Sequence, residues 1–499
     1  MEPRSQRRLL SVLRHILPGA IAAGDLHPNL LYARESKLEC SFPVIIGGMV
    51  LDIHAKPFTP AKPGTTTPGK VEYVRGGVSR NVAECMSKLW SKPFLISVVG
   101  LDMPGELLLE YWKSSGLPMD GILKHPGIST PVVSNIFDVS GELAAAVASV
   151  EAVVSFFLLR DTLLNPILGN RTKQFPHLHL KFSMFPNSNF SYCSRNINWI
   201  QQFRHHISSA PILMLDANLL PSSLEAACHI AAEYRIPVWF EPVSVSKSKR
   251  IAPIAKHVTF ASPNEAELFA MANALSSGDA QCSYKNIGER QSVEDLLQDL
   301  KPAICILLEK GIKFLVVTLG ADGVFLCSGD GAEFSKSYVD TGSSSSGLRL
   351  CEIVNENFPS KQSACTINPE QIKNHAYILH LPALPASVMS LTGAGDCLVG
   401  GTLASVCAGL NVMQSIAVGI SAATAAVETR FNVPHQYDLT RIAGDVKRIL
   451  CAAKLFWIDH RQTLMQRRGA HEEEDTERFT KISIKLMELQ LQNSQLLQG

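Results

Sequence analysis

The stretch SLTGAGDCLVGG, residues 390–401, sets Thr392, Gly393, Ala394 and Gly395 directly before Asp396. It then runs through Cys397, Leu398 and Val399 to two more glycines. Glycine reaches backbone conformations closed to other residues, so such a run lets bare N–H groups crowd around a ligand. If a helix starts here, its first N–H groups lack intrahelical acceptors and its dipole adds partial positive charge, which makes a site for an anion such as a phosphate. Asp396 could then take a proton from a hydroxyl while the N–H groups hold a phosphoryl group in transit. The same residues also suit a plain helix start with Asp396 as an ordinary cap.

The composition fits a small-molecule partner. The 499 residues suffice for one large α/β domain with extensions, or for two or three domains. Hydrophobic residues make up 46%, and 46 basic against 45 acidic residues leave a net charge of +1. That balance argues against nucleic acid or an anionic membrane as partner. The 12 cysteines form no CxxC pair, and Cys228, Cys305 and Cys407 sit in apolar runs, the pattern of buried free thiols in a reducing compartment. The most apolar long stretch, Leu403 to Val427, contains Asn411 and Gln414 and predicts buried helices rather than a membrane span.

From residue 43 apolar runs alternate with helix-like segments. PVIIGGMVLDI reads as a first strand, NVAECMSKLW as a helix, and PFLISVVG, PILMLDANL, PVWFEPVS and HVTFASPN as further strands. FLVVTLGADGVFLC reads as two strands joined by a Gly-Ala-Asp-Gly turn, and Ser222-x-x-Glu225 as the capping box of a helix. This alternation implies a mostly parallel sheet covered by helices, with ligands beyond the carboxyl ends of its strands. Two stretches break the pattern. Residues 153–198, with Asp161 as their one acid, read as an atypical insertion, and 329–371, rich in Ser and Gly, as a long loop.

The termini differ in character from the body. Residues 1–41 form an extension in which Arg8-Leu9, five residues, then His15-Ile16 is similar to a nonapeptide that directs proteins to peroxisomes. An Arg-rich mitochondrial presequence and an ordinary amphipathic helix of a cytoplasmic protein are the alternatives. In 456–499, a helical extension, Phe479, Ile482, Leu486, Leu489, Asn493 and Leu496 alternate in steps of three and four. That short seam suits either a homodimer contact or a helix packed on the body. GTTTPGKV, Gly64 to Val71, nearly spells a P-loop, but Val71 has no hydroxyl for magnesium, Pro68 removes a donor, and a Pro-rich loop rather than a strand precedes it.

With these motifs in order, the chain resembles the ribokinase-like (PfkB) carbohydrate and nucleoside kinases over about residues 42–150 and 199–450. The resemblance implies a three-layer α/β sandwich with a mostly parallel central sheet and a small β lid, in a kinase domain over 42–455. VIIGGMVLDI matches the opening strand, whose terminal acid, Asp52, would hold substrate hydroxyls. GGVSRNVAECMSKLW matches the N-terminal signature, so Gly76, Gly77 and Asn81 would sit against the sugar. SPNEAEL matches N-x-x-E, giving Asn264 and Glu267 to the magnesium and phosphate network. VTLGADGVFL would border the nucleotide with Thr318, Gly320 and Gly323, and LTGAGDCLVGG matches the C-terminal signature with Asp396 as base and Gly393, Ala394 and Gly395 as anion hole. STPVVSNIFDVSGELAAAVAS, from Ser129, resembles the lid.

Within the family the chain is most similar to the nucleoside kinases that act on pseudouridine. Arg80, the strand MLDANL with Asp216 and Asn218, the segment VWFEPVSVSKSKR with Glu241, Pro242 and Ser244, and the apolar Leu391 carry that likeness, with Asp216 on the substrate side. The implied reaction moves the ATP γ-phosphoryl group, with Mg2+, to a nucleoside 5′-hydroxyl, and K+ is a further candidate because a monovalent cation commonly braces the family's anion-hole loop. A kinase for another sugar or nucleoside, and a non-catalytic protein disabled by the 153–198 segment, remain the alternatives.

Overall fold

The structure is a computed structural model that describes residues 42–62, 64–141, 143–149, 200–276, 292–338, 345–357 and 375–459. The expected targeting signal, the insertion at 153–198 and the heptad seam lie outside the described residues.

In chain order the strands are β1 Val44–Ile46, β2 Val50–Pro57, β3 Gly69–Gly76, β4 Phe94–Gly100, β5 Ile122–His125, β6 Val132–Phe137, β7 Leu143–Ser149, β8 Leu213–Asp216, β9 Val238–Glu241, β10 Phe260–Ala261, β11 Phe314–Thr318, β12 Val324–Ser328, β13 His375–Leu381 and β14 Lys454–Asp459. The helices used below are α1 Val78–Lys88, α2 Met103–Ser114, α3 Pro221–Glu233, α4 Glu265–Leu275, α5 Val293–Glu309, α6 Ser345–Asn357, α7 Ala394–Cys407, α8 Val412–Val427 and α9 Leu439–Cys451.

Ten strands form one sheet in the order β14-β13-β12-β11-β10-β9-β8-β1-β4-β5. From β11 to β5 every neighbouring pair is parallel, and β12, β13 and β14 continue antiparallel. Apolar runs such as FLISVVG, buried along their whole length, fit strands covered on both faces. Alternate residues divide the core: Val44 and Ile46 pack with α3, α4 and α5 on one face, and Ile45 with α1, α2 and α6 to α9 on the other. On the second face Trp239, Phe260 and Phe314, in register on β9, β10 and β11, stack at 5.1 and 4.8 Å. The result is the expected three-layer sandwich.

A separate sheet, β3-β2-β6-β7, is the expected small β lid, and two of its four strands come from the N-terminal segment. PVIIGGMVLDI is therefore two strands, not one. It pairs with β4 and β8 as far as Ile46, turns at Gly47–Met49, and continues as β2 beside β3 and β6. Only glycine fits at the start of this turn: a Cβ on Gly47 would lie 2.0 Å from Asp216 Oδ2. Asp52 consequently sits early in a lid strand rather than ending a strand of the main sheet.

Three further expectations are corrected. Ser222-x-x-Glu225 makes no capping box, because α3 starts at Pro221 after Leu220 with no side-chain cap, the fixed φ of proline at the first turn doing that work. The loop expected over 329–371 contains helix α6, whose Leu350 and Val354, four apart, are buried against the layer that holds α7 and α9. The kinase body runs beyond 455, since β14 pairs with β13 as far as Asp459. Leu403 to Val427 does form buried helices, α7 and α8, and no helix among the described residues is long and apolar enough to cross a membrane.

Candidate active site

β1 lies inside the parallel run, with β4 on one side and β8 on the other, so the chain reverses its direction of winding there. A crevice opens at the carboxyl ends of strands at such a point. Asp216, the last residue of β8, is fully buried and accepts from Ser79 Oγ at 2.7 Å, Gly48 N at 3.2 Å and Asn218 N at 2.9 Å. It therefore braces the β1–β2 turn and the start of α1 from behind the crevice wall. The substrate-side role expected for it becomes support. Burial pushes its carboxyl up, against the pull of those donors.

Residues 393–396 form the N-terminus of α7. Gly393 is the cap, at φ 85°, pressed so closely on Asn432 that a Cβ would lie 2.1 Å from its carbonyl oxygen. That left-handed conformation favours glycine. At Gly395, by contrast, a Cβ would meet no atom within 4 Å, and the N–H groups of Gly395 and Asp396 have no protein acceptor among the described residues. These groups face open space at the positive end of a 14-residue helix. The two glycines that end the motif serve packing: a Cβ on Gly400 would lie 2.7 Å from Cys85 Cβ on α1, and one on Gly401 2.9 Å from Ala422 Cβ on α8.

Asp396 Oδ2 accepts from Asn81 Nδ2 at 2.6 Å, a bond that joins α7 to α1. Burial pushes the Asp396 carboxyl up to about 6, with Asn81 and Arg80 pulling it down and Asp216 and Asp52 adding to the rise. Asp52, on β2, lies over Gly76, where a Cβ would come within 2.1 Å of its Oδ2, and burial pushes it up to about 6 as well. Gly77, at φ 98°, makes the turn from β3 into α1, where a Cβ would lie 2.5 Å from Gly48 O. Asp52, Gly76, Gly77, Asn81 and Asp396 thus share one rim. The structure adds Asn432, which the sequence reading missed: its Nδ2 reaches Asp52 Oδ2 at 3.5 Å and Arg75 O at 3.1 Å, while its carbonyl packs on Gly393. No local pattern around RFNVPH marks it.

The expected nucleotide-side residues gather along the same edge of the sheet. Asn264 bridges to Thr318, and Gly320 begins the turn between β11 and β12. Gly323, at φ 95°, packs against Leu381 O. Asn264 and Glu267 form a reciprocal capping box on α4, Glu267 N donating to Asn264 Oδ1 and Asn264 N to Glu267 Oε2, each at 2.9 Å. Glu241, the end of β9, sits electrically between the two groups: burial pushes it well up, and Asp396 and Glu267 add to the rise. Burial raises Glu267 too.

Carboxylates strained upward by burial and by one another suit a hard divalent cation. Glu267 keeps its second oxygen, Oε1, outside the capping box, and the described residues hold no closed cage of three or more ligands. Magnesium typically takes one or two protein carboxylates and completes its shell with phosphate and water, so the donor set fits. For potassium, the segments 388–395 and 429–433 offer carbonyl and hydroxyl oxygens, the ligand type that ion takes from a protein.

Fold, lid and helix-terminal acid together define a class. Residues 43–147 and 187–341 match the pfkB family carbohydrate kinase pattern, and the chain belongs to that family, phosphotransferases acting on a sugar-like alcohol. The gap in the match, between 147 and 187, falls where the sequence loses its strand and helix periods. Among named relatives, the pseudouridine kinase of Arabidopsis thaliana is 44% identical over 421 residues, 83% of this chain and 98% of that protein. The pseudouridine kinase of Escherichia coli is 23% identical over 58% of this chain and 73% of that one. In fold the chain is similar to a ribokinase from Thermotoga maritima, with TM-score 0.51 and 17% identity over 82% of this chain and all of that one. An Arabidopsis thaliana ribokinase complexed with ribose and ATP gives TM-score 0.52 and 16% identity over 82% of this chain and 99% of that one.

Proposed function

We propose that this protein transfers the γ-phosphoryl group of ATP to the 5′-hydroxyl of pseudouridine, giving pseudouridine 5′-phosphate and ADP. The observation that carries the reaction type is the pairing of Asp396 with an unblocked helix N-terminus beside it. A carboxylate held near pH 6 is largely ionised at neutral pH, yet basic enough to take a proton. The proposal for the nucleoside rests on the 44% identity with the Arabidopsis protein over nearly its whole length.

In this reading Asp52, Gly76 and Gly77 hold the ribose. Asp396 accepts the 5′-hydroxyl proton as the oxygen attacks phosphorus, and the Gly395 and Asp396 N–H groups stabilise charge on the transferring group. The lid sheet keeps water from competing. Magnesium bound through Glu267 would neutralise phosphate charge. Peroxisomal import through Arg8 to Ile16 is a further part of the proposal, and a fluorescent fusion of residues 1–20 that stays outside peroxisomes removes it.

The direct test supplies ATP and magnesium with pseudouridine, uridine, adenosine, ribose or fructose and measures ADP release and phosphorylated product. Turnover confined to pseudouridine is expected. Faster turnover of another acceptor reassigns the substrate, and no turnover with any of them, in a folded protein, overturns the enzymatic reading.

A further inference from the structure

Arg80 is 2% exposed and faces no solvent, yet it is bonded to both halves of the site. Its Nε donates to Gly76 O at 3.0 Å and its Nη2 to Arg75 O at 2.9 Å, the two carbonyls that end lid strand β3. Nη2 also donates to Asn81 Oδ1, and Nη1 to Glu84 Oε2 at 2.5 Å. Glu84, itself 3% exposed, is held in turn by Lys88 Nζ and Tyr111 OH, both at 2.6 Å. Buried ion pairs contribute little net stability compared with apolar replacements, because desolvation offsets the attraction. Their value here is positional.

An amide side chain can present either its oxygen or its nitrogen to a neighbour. With Oδ1 of Asn81 taken by the guanidinium, Nδ2 is the group left to meet Asp396, and it does so at 2.6 Å. The reversed amide would set an oxygen against the carboxylate. We propose that Arg80 is a positioning residue for phosphoryl transfer: it fixes the Asn81 amide so that Nδ2 stays on the Asp396 carboxylate, and it locks the glycine turn that carries the sugar to the same helix. This rests on the reading of Asp396 as the base. The charged and titratable groups that bear on Asp396 are Asp52 on β2, Arg80 on α1, Asp216 on β8, Glu241 on β9 and Cys397 on its own helix. Arg80 supplies the positive charge among them.

The test is the pH dependence of kcat/KM, with ATP, magnesium and pseudouridine, for full-length variants. Arg80→Lys keeps the charge but not the fork, and its acid limb should move up by roughly one pH unit, with kcat/KM at pH 6.5 falling about threefold and at pH 5 about tenfold. Asn81→Leu should move the limb the same way, and Arg80→Lys/Asn81→Leu should move it no further than Asn81→Leu alone, since one path is being cut twice. Glu84→Gln should move it down, because the unpaired guanidinium then acts more strongly on Asp396. A residue serving stability alone would lower the melting temperature and leave the limb in place. An unmoved limb in Arg80→Lys, or additive shifts in the double variant, overturns the proposal. If Arg80→Lys does not fold, Glu84→Gln decides, and a limb unmoved or shifted upward overturns it. Asp396→Asn separates the two levels: full turnover in that variant sinks the base itself, whereas its loss beside an unmoved Arg80→Lys limb sinks only this inference.

Discussion

At Asp396 a single carboxylate carries opposite demands of stability and chemistry. Replacing it by Asn keeps the shape and removes the base, so kcat should fall by about 10²- to 10⁴-fold with little change in the nucleoside KM, as read by coupled ADP release. A variant retaining a tenth of wild-type turnover would refute the assignment. In the wild type, activity should climb as pH rises through about 6, where Asp396 ionises. Stability runs the other way. The folded carboxyl lies above its ordinary value of 3.8, so the native state holds this proton more tightly than the unfolded chain. That contribution is whole below 3.8 and is lost as pH rises to 6, up to about 3 kcal/mol. Asp396→Asn should therefore melt a few °C above the wild type at pH 8 and lose that advantage by pH 4. A variant melting lower at pH 8 would contradict the account. The acid was legible in T-G-A-G-D. Its elevated pKa was not, because it comes from burial among distant segments, with Asp216 and Asp52 arriving from other strands.

At the level of the element, the N-terminus of α7 uses its glycines for different reasons. Gly393→Ala forces a side chain into φ 85° and against the Asn432 carbonyl, so it should destabilise the fold by about 1–3 kcal/mol as well as abolish turnover. Gly395→Ala meets no protein atom within 4 Å and should leave the melting temperature nearly unchanged while cutting kcat/KM for ATP by tenfold or more, because the methyl occupies the phosphate's approach. Equal losses of stability in the two variants would show that Gly395 is only a packing residue. Periodicity meets a limit in the N-terminal segment. PVIIGGMVLDI is apolar but for Asp52, and nothing in it says that Ile46 and Val50 belong to different sheets, since that depends on which distant strands pair with each half.

Across the whole molecule, Asn432 ties together parts far apart in the chain. It bonds Asp52 across 380 positions and seats its carbonyl on Gly393, so lid strand β2 and the start of α7 are tied through one residue. Asn432→Ala should raise the KM for the nucleoside about tenfold, since Asp52 loses a hydrogen bond to its charged form. It should also lower kcat. An unchanged nucleoside KM in steady-state assays would mean that Asp52 is positioned by something else.

Sequence alone was enough to specify the class. Alternating apolar runs set the parallel sheet, the glycine turn before Asp396 set a helix start, and N-x-x-E placed a second polar group at a strand end, because each is a local pattern with a local physical cause. Tertiary structure alone decided that β2 and β3 build the lid, that α6 occupies the expected loop, that Asp216 supports the wall from behind, and that Arg80, Asn81 and Asn432 converge on two carboxylates. Those outcomes depend on which distant side chains share a buried volume, and local propensity and spacing hold no record of that.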